Sequence, residues 1–127
     1  MVRRTHPMAI CRLAVVGTKG IGRTHIEAIA AVPTCELAAV CDVDPERAKA
    51  AADEAGVTGY SELDEMLARE KLDGLTVCTP HRHHRAVATK ALGAGVHVLT
   101  EKPMAVTVED GEKMIEAARS ANRLLAV

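Results

Sequence analysis

Leu13-Ala14-Val15-Val16-Gly17-Thr18-Lys19-Gly20-Ile21-Gly22 is an apolar run that breaks into a glycine-rich turn and opens a helix-like stretch. A nearly continuous apolar run is the mark of a strand buried on both faces of a parallel sheet. The glycines let the backbone turn tightly and approach a pyrophosphate. The first turn of the helix then offers unpaired N–H groups and the positive end of its dipole to that anion. Strand, glycine turn and helix in this order predict a mononucleotide-binding βαβ unit.

Asp42 strengthens the reading. It closes the next apolar run, 36–41, and follows Gly22 by 20 residues. A carboxylate there accepts hydrogen bonds from the ribose hydroxyls of NAD and repels a 2′-phosphate, which favours NAD over NADP. Arg47 lies close enough in sequence to leave NADP open. The fingerprint G-x-G-x-x-G departs at its third place, where Lys19 stands for glycine. The lysine side chain either crowds the pyrophosphate or turns outward and sets a positive charge beside it.

Outward from this unit, strands and helices alternate. Strands are expected over 11–17, 36–41, 57–60, 74–78, 96–100 and 123–127, and helices over 20–32, 44–55, 62–70, 82–93 and 108–121. In the first helix Ile21, Ala28, Ile29 and Val32 fall near helical spacing. Asp44-Pro45 reads as an N-cap with proline at the first helical position, and Gly56 as a helix end. Ser61 with Asp64, and Thr107 with Asp110, read as capping patterns. Six strands alternating with five helices imply a doubly wound α/β fold, a parallel sheet of order 3-2-1-4-5-6 between two helical layers. Residues 1–10 read as an N-terminal extension and 11–127 as one nucleotide-binding domain.

Composition narrows the classes. The chain has 127 residues, enough for one core, and 48% of them are apolar, which argues against disorder. Sixteen basic residues against 17 acidic ones give no pull toward nucleic acid or membrane. No apolar run approaches the roughly 20 residues of a spanning helix, and none follows the basic Met1-Val2-Arg3-Arg4 as in a secretory signal. With no Phe or Trp and one Tyr, Tyr60, the core is aliphatic, and a base-stacking sheet is disfavoured.

Cys11, Cys35, Cys41 and Cys78 form no C-x-x-C pair. They read as reduced, largely buried thiols of a cytoplasmic protein rather than a zinc site. The cluster His81-Arg82-His83-His84-Arg85 reads as a polar loop over the cofactor crevice, because adjacent residues at a helix start point in different directions and cannot converge on a metal. No metal site is expected. His25, on the first helix, reads as packed or hydrogen-bonded rather than catalytic.

Three segments carry a resemblance: 17–25 (Gly-Thr-Lys-Gly-Ile-Gly-Arg-Thr-His), 39–47 (Ala-Val-Cys-Asp-Val-Asp-Pro-Glu-Arg) and 95–103 (Gly-Val-His-Val-Leu-Thr-Glu-Lys-Pro). They resemble the N-terminal domain of the Gfo/Idh/MocA oxidoreductases, the glucose–fructose oxidoreductase and inositol dehydrogenase family. The resemblance implies cofactor contacts from Gly17, Lys19, Gly20, Ile21, Gly22 and Asp42, and from Glu101 and Lys102 of the Glu-Lys-Pro motif. It further implies Lys102 as the catalytic residue, beside the nicotinamide and the reacting oxygen. Pro103 would fix that turn. The loop Thr79-Pro80-His81-Arg82-His83-His84 matches the family's Thr-Pro-Asn-x-x-His at Thr79, Pro80 and His84, which implies cofactor contacts there. His81 replaces the Asn.

The implied activity is hydride transfer between NAD(P) and a CH–OH group of a sugar or cyclitol. The family's C-terminal domain, which supplies most substrate contacts, is not in these 127 residues. Two alternatives stand beside this reading: a nucleotide-binding module without turnover, and a CoA- or mononucleotide-binding relative that makes no use of Asp42. Self-association through Leu124-Leu125-Ala126-Val127 is expected, since an uncovered outer strand invites pairing.

Overall fold

The apolar runs become strands and the amphipathic stretches between them become helices, in strict alternation. The computed structural model describes residues 9–127, so most of the expected N-terminal extension, residues 1–8, lies outside the described residues. The strands are β1 (Cys11–Val16), β2 (Cys35–Cys41), β3 (Thr58–Tyr60), β4 (Gly74–Val77), β5 (His97–Thr100) and β6 (Leu125–Ala126). The helices are α1 (Ile21–Ala31), α2 (Pro45–Ala55), α3 (Leu63–Arg69), α4 (His84–Gly93) and α5 (Val108–Ala121). The sheet is six-stranded and parallel, in the order β3-β2-β1-β4-β5-β6. Chain direction across the sheet reverses between β1 and β4, so the two strands that flank the glycine turn open a crevice at their carboxyl ends.

Side chains alternate across β1 and build two cores. Ala14 and Val16 join Ala39, Leu75, Val77 and Val98 on one face, beneath Met66 of α3, Ala88 and Leu92 of α4, and Met114 of α5. Val15 points to the other face, where Ile29 of α1, Cys78, Leu13 and Leu37 gather. With no Phe or Trp, the larger core is filled by Met66, Leu92 and Met114, all fully buried. Alanines on α4 let that helix lie close to the sheet and to α5.

Local chemistry explains most helix ends. Asp44 caps α2, accepting from the N–H groups of Glu46 (3.0 Å) and Arg47 (3.4 Å), with Pro45 at the first position. Thr107 caps α5 through the Asp110 N–H at 3.1 Å. Other expectations are corrected. Helix α3 starts after Glu62, and no side-chain cap bond forms, so Ser61 is not its cap. The stretch His81–His83 is a single 3-10 turn, and the α-helix proper starts at His84. Of the expected stripe only Ile29 is buried; Ala28 is exposed, as are Ile21 and Val32, the first residue and the extended C-cap of α1.

Burial sorts the thiols. Together with the negative charges of Asp42 and Glu62, it pushes Cys41 up to about 11. Burial and Glu101 push Cys78 up to about 12. Cys11 is exposed. Since the thiolate is the reactive form, a thiol reagent at neutral pH should label Cys11 first in the folded protein and spare Cys41 and Cys78 until denaturant is added. Peptide mapping after a timed reaction checks this; early labelling of Cys78 would contradict the packing.

Candidate functional site

The carboxyl ends of the strands are drawn into one row by backbone bonds. The Gly17 N–H donates to the Cys41 carbonyl (2.8 Å) and the Cys78 N–H to the Val16 carbonyl (2.7 Å). The Glu101 N–H donates to the Val77 carbonyl (3.0 Å). These bonds set the glycine turn between the ends of β2 and β4, with the Glu-Lys-Pro turn beyond. Gly17 takes φ +92° and Gly20 φ +59°. A Cβ on Gly17 would lie 2.7 Å from the Cys78 carbonyl, and one on Gly22 only 1.8 Å from the Gly17 oxygen. The turn closes only without those side chains, because each would meet main chain, and it ends at the α1 N-terminus, where free N–H groups favour an anion.

Lys19 fits this turn. Among the described residues Asn122 is the one non-glycine with a left-handed φ, so Lys19 takes an ordinary backbone conformation. The left-handed steps fall on Gly17 and Gly20 instead. Lys19 is exposed and lies with Arg23 and Arg47 along an open groove of about 700 Å³ between α1 and α2.

Asp42 is 5% exposed and fully engaged. One carboxylate oxygen accepts from the Thr18 N–H (3.1 Å) and hydroxyl (2.9 Å). The other accepts from the Asp44 N–H (3.0 Å) and from Nε and Nη2 of Arg47 (3.1 and 2.9 Å). Burial alone would raise its pKa. The Arg47 guanidinium, the N–H groups of Asp44 and Thr18 and the Thr18 hydroxyl outweigh it and hold the carboxyl below 3.8. Asp42 thus pins the glycine turn to the end of β2. Arg47 also reaches Asp44 (Nη1 to Oδ2, 3.3 Å), giving two carboxylates around one guanidinium.

Across β1 from Asp42 the other half of the site is built on β4 and β5. Thr79 follows β4, and its buried hydroxyl has no hydrogen-bond partner among the described residues. An orphaned hydroxyl at the crevice and the side-chain-free cradle of Gly17 and Gly22 both fit a bound dinucleotide. Pro80, next in the chain, is exposed. His84 is fully buried, with Nδ1 2.9 Å from the Pro103 carbonyl and Nε2 2.9 Å from the Thr79 carbonyl. It ties the β4 loop to the Glu-Lys-Pro turn from beneath rather than presenting an open face. Lys102 is exposed and precedes a cis peptide to Pro103.

Glu101 is partly exposed, and its carboxylate lies 2.8 Å from Nε2 of His25. That hydrogen bond, against opposing desolvation, is the main reason its carboxyl sits below the usual range, with the His25 charge, the Lys102 N–H and the Lys102 charge adding. The sequence assigned no site role to His25 or to Thr18. A contact 76 positions apart is visible only after the strand order is fixed. The Thr18 bond to Asp42 had a signal, a hydroxyl residue beside the first glycine. Among the described residues no group of three His, Cys, Asp or Glu gathers that could hold a metal ion. No helix among them is long and apolar enough to cross a membrane.

A glycine cradle at the strand 1–strand 4 switch point, with an ionised acid at the end of β2, defines a dinucleotide-binding Rossmann domain. Residues 11–127 match the Gfo/Idh/MocA oxidoreductase family with its NAD-binding Rossmann fold. The chain belongs to that family. It is 38% identical to the WlbA dehydrogenase of Bordetella pertussis, solved with NADH and UDP-GlcNAcA, superposing at a TM-score of 0.88 over 91% of this chain and 36% of that one. It is 35% identical to the UDP-N-acetylglucosamine 3-dehydrogenase of Acidithiobacillus ferrooxidans over 91% of this chain and 36% of that protein. Identity to the glucose-6-phosphate 3-dehydrogenase of Bacillus subtilis is 32%, over 84% of this chain and 30% of that protein. The chain therefore spans about a third of the length of the relatives it matches.

Proposed function

We propose that this chain is the cofactor-binding part of an oxidoreductase that passes a hydride between a nicotinamide dinucleotide and a CH–OH group of a sugar or cyclitol. The observation that carries the reading is the glycine turn, pinned by Asp42 at the switch point, with the Glu-Lys-Pro turn across β1 from it. The N–H groups from Lys19 to Ile21 hold the pyrophosphate, since that of Gly22 is already donated to the Lys19 carbonyl (3.1 Å), and Lys19 adds charge from its edge. Asp42 and Arg47 mark the adenosine end; Thr79, Pro80 and Glu101 flank the nicotinamide end. A bound dinucleotide supplies the hydride acceptor or donor. Lys102 donates a hydrogen bond to the substrate oxygen and stabilises the negative charge that grows there. Both relatives named as 3-dehydrogenases, of glucose 6-phosphate and of UDP-N-acetylglucosamine, support a sugar as the substrate class.

Calorimetric titration with NADH and NADPH tests the cofactor. Two carboxylates around one guanidinium leave the adenosine end negative, so NADH should bind more tightly, by roughly tenfold. Failure of both to bind overturns the reading. Binding without turnover is a second reading for these 127 residues alone, favoured by their match to only a third of each relative. An assay of polyol and sugar oxidation by the chain separates the two.

We further propose that the chain self-associates through the outer strand β6. Leu124 is 72% exposed and Val127 63%, beside a strand paired on one side only. Sedimentation velocity should show the mean size rising with concentration. A monomer throughout contradicts it.

A further inference from the structure

The Glu101-Lys102-Pro103 turn is held at both ends by histidines. His84 reaches the Pro103 carbonyl from beneath, at 2.9 Å. His25 reaches the Glu101 carboxylate from α1, at 2.8 Å. Lys102 lies between the two held residues. The two clamps differ in kind. His84 is fully buried between two main-chain carbonyls, so it belongs to the scaffold. His25 and Glu101 have side chains 22% and 25% exposed, so this clamp is open to solvent where the other is not.

Helix α1 is also the helix whose first turn closes the glycine cradle. The His25–Glu101 bond therefore links the phosphate end of the site directly to the turn beyond β5. Without it, Glu101 is anchored to the sheet through its backbone N–H on Val77 (3.0 Å), and its side chain loses its only partner on another element among the described residues. An exposed, ionised carboxylate next to the Lys102 ammonium would then be free to pair with it. That pairing would draw Lys102 away from the position where it can donate to a substrate oxygen.

We propose that His25 is a positioning residue for the nicotinamide end of the site: it holds Glu101 to α1 and keeps both Glu101 and Lys102 disposed toward the cofactor. This rests on the dinucleotide reading above. The bond needs a nitrogen donor where Nε2 lies, and a glutamine amide nitrogen can stand in for that atom. Alanine cannot.

The test compares two ligands on the chain as it stands: NADH, which spans both halves of the site, and ADP, which reaches only the glycine turn and the Asp42 end. His25→Ala should weaken NADH roughly tenfold, because the loosened Glu101 and Lys102 side chains must be ordered again when the nicotinamide end binds, and leave ADP unchanged. His25→Gln should restore NADH to within about twofold of the unaltered chain. ADP serves as the control for folding, because a damaged helix α1 would lose the cradle and weaken both ligands together. Equal loss of NADH and ADP in His25→Ala overturns the proposal, since the residue is then structural. So does unchanged NADH affinity in His25→Ala, or a His25→Gln variant as weak as His25→Ala. An unaltered chain that takes neither ligand overturns the dinucleotide reading itself, and this proposal with it.

Discussion

Gly22→Ala should weaken dinucleotide binding severely and destabilise the fold together. The added Cβ would stand 1.8 Å from the Gly17 carbonyl oxygen and 2.8 Å from its carbon, both backbone atoms of the same turn. Neither can move far: the Gly17 N–H is bonded to Cys41, and the residue is pressed against the Cys78–Thr79 peptide. The start of α1 must therefore swing out. Backbone displacement of this kind costs about 3 kcal/mol, a fall in melting temperature on the order of 10 °C for a chain of this size. The N–H groups at the α1 start would no longer converge, and losing two or more charge-assisted bonds lowers NADH affinity by roughly a hundredfold. Gly93→Ala is the matched control. Nothing lies within 4 Å of its Cβ and its φ is ordinary, so an alanine at this helix position should be neutral or slightly stabilising. Thermal melts and NADH titrations of both variants check the contrast; a Gly22→Ala protein that binds like the unaltered chain would mean the turn is not the phosphate cradle.

Asp42→Ala should be the most damaging change at the adenosine end, and by a different route. Removing the carboxylate leaves the Thr18 N–H and hydroxyl and the Asp44 N–H without acceptors in a buried place. Unmade bonds there cost about 2 kcal/mol. The glycine turn also loses the side-chain strut that joins it to β2. Asp42→Asn separates charge from shape: an amide oxygen still accepts from Thr18 or Asp44, but it attracts Arg47 less and repels a 2′-phosphate less. The alanine variant should lose both stability and NADH affinity. The asparagine variant should lose less stability than the alanine variant, its NH2 being left against a donor on one side, while its preference for NADH over NADPH narrows.

The same group sets an acid limit. Asp42 has its folded pKa below the ordinary 3.8, so its stabilisation is complete above the unfolded value and is lost as pH falls through the folded one. The melting temperature of the unaltered chain should drop below pH 4 more steeply than that of Asp42→Asn. Parallel curves would show that the Asp42 charge is not coupled to folding.

Much of the fold was legible because its signals are local. The Leu13–Val16 run, Pro45 after Asp44, and Thr107 with Asp110 each mark an element by short-range chemistry, and strand order followed from alternation and handedness. Where neighbours decide, the sequence was less informative. Ser61 is a sound capping residue, yet the chain enters α3 one residue later. Ile21 and Val32 fit a helical stripe, but they sit at the two ends of α1, where the sheet is out of reach. At the site, the glycines and Asp42 were visible in the sequence, but the way Asp42 is spent was not. Its oxygens are taken by Thr18 and Arg47 because the turn folds back on β2. His84 looked like part of a polar loop, but its ring fills the space between the Thr79 and Pro103 carbonyls. Lys19 stands where the fingerprint has glycine, and the left-handed steps fall on Gly17 and Gly20 instead.

A crystal structure of the chain soaked or grown with NADH would decide where the dinucleotide lies. The expected result has the pyrophosphate on the N–H groups from Lys19 to Ile21, adenosine beside Asp42 and Arg47, and nicotinamide over the ends of β4 and β5 near Glu101 and Lys102. NADH found instead down the groove between α1 and α2, away from Glu101 and Lys102, would contradict it.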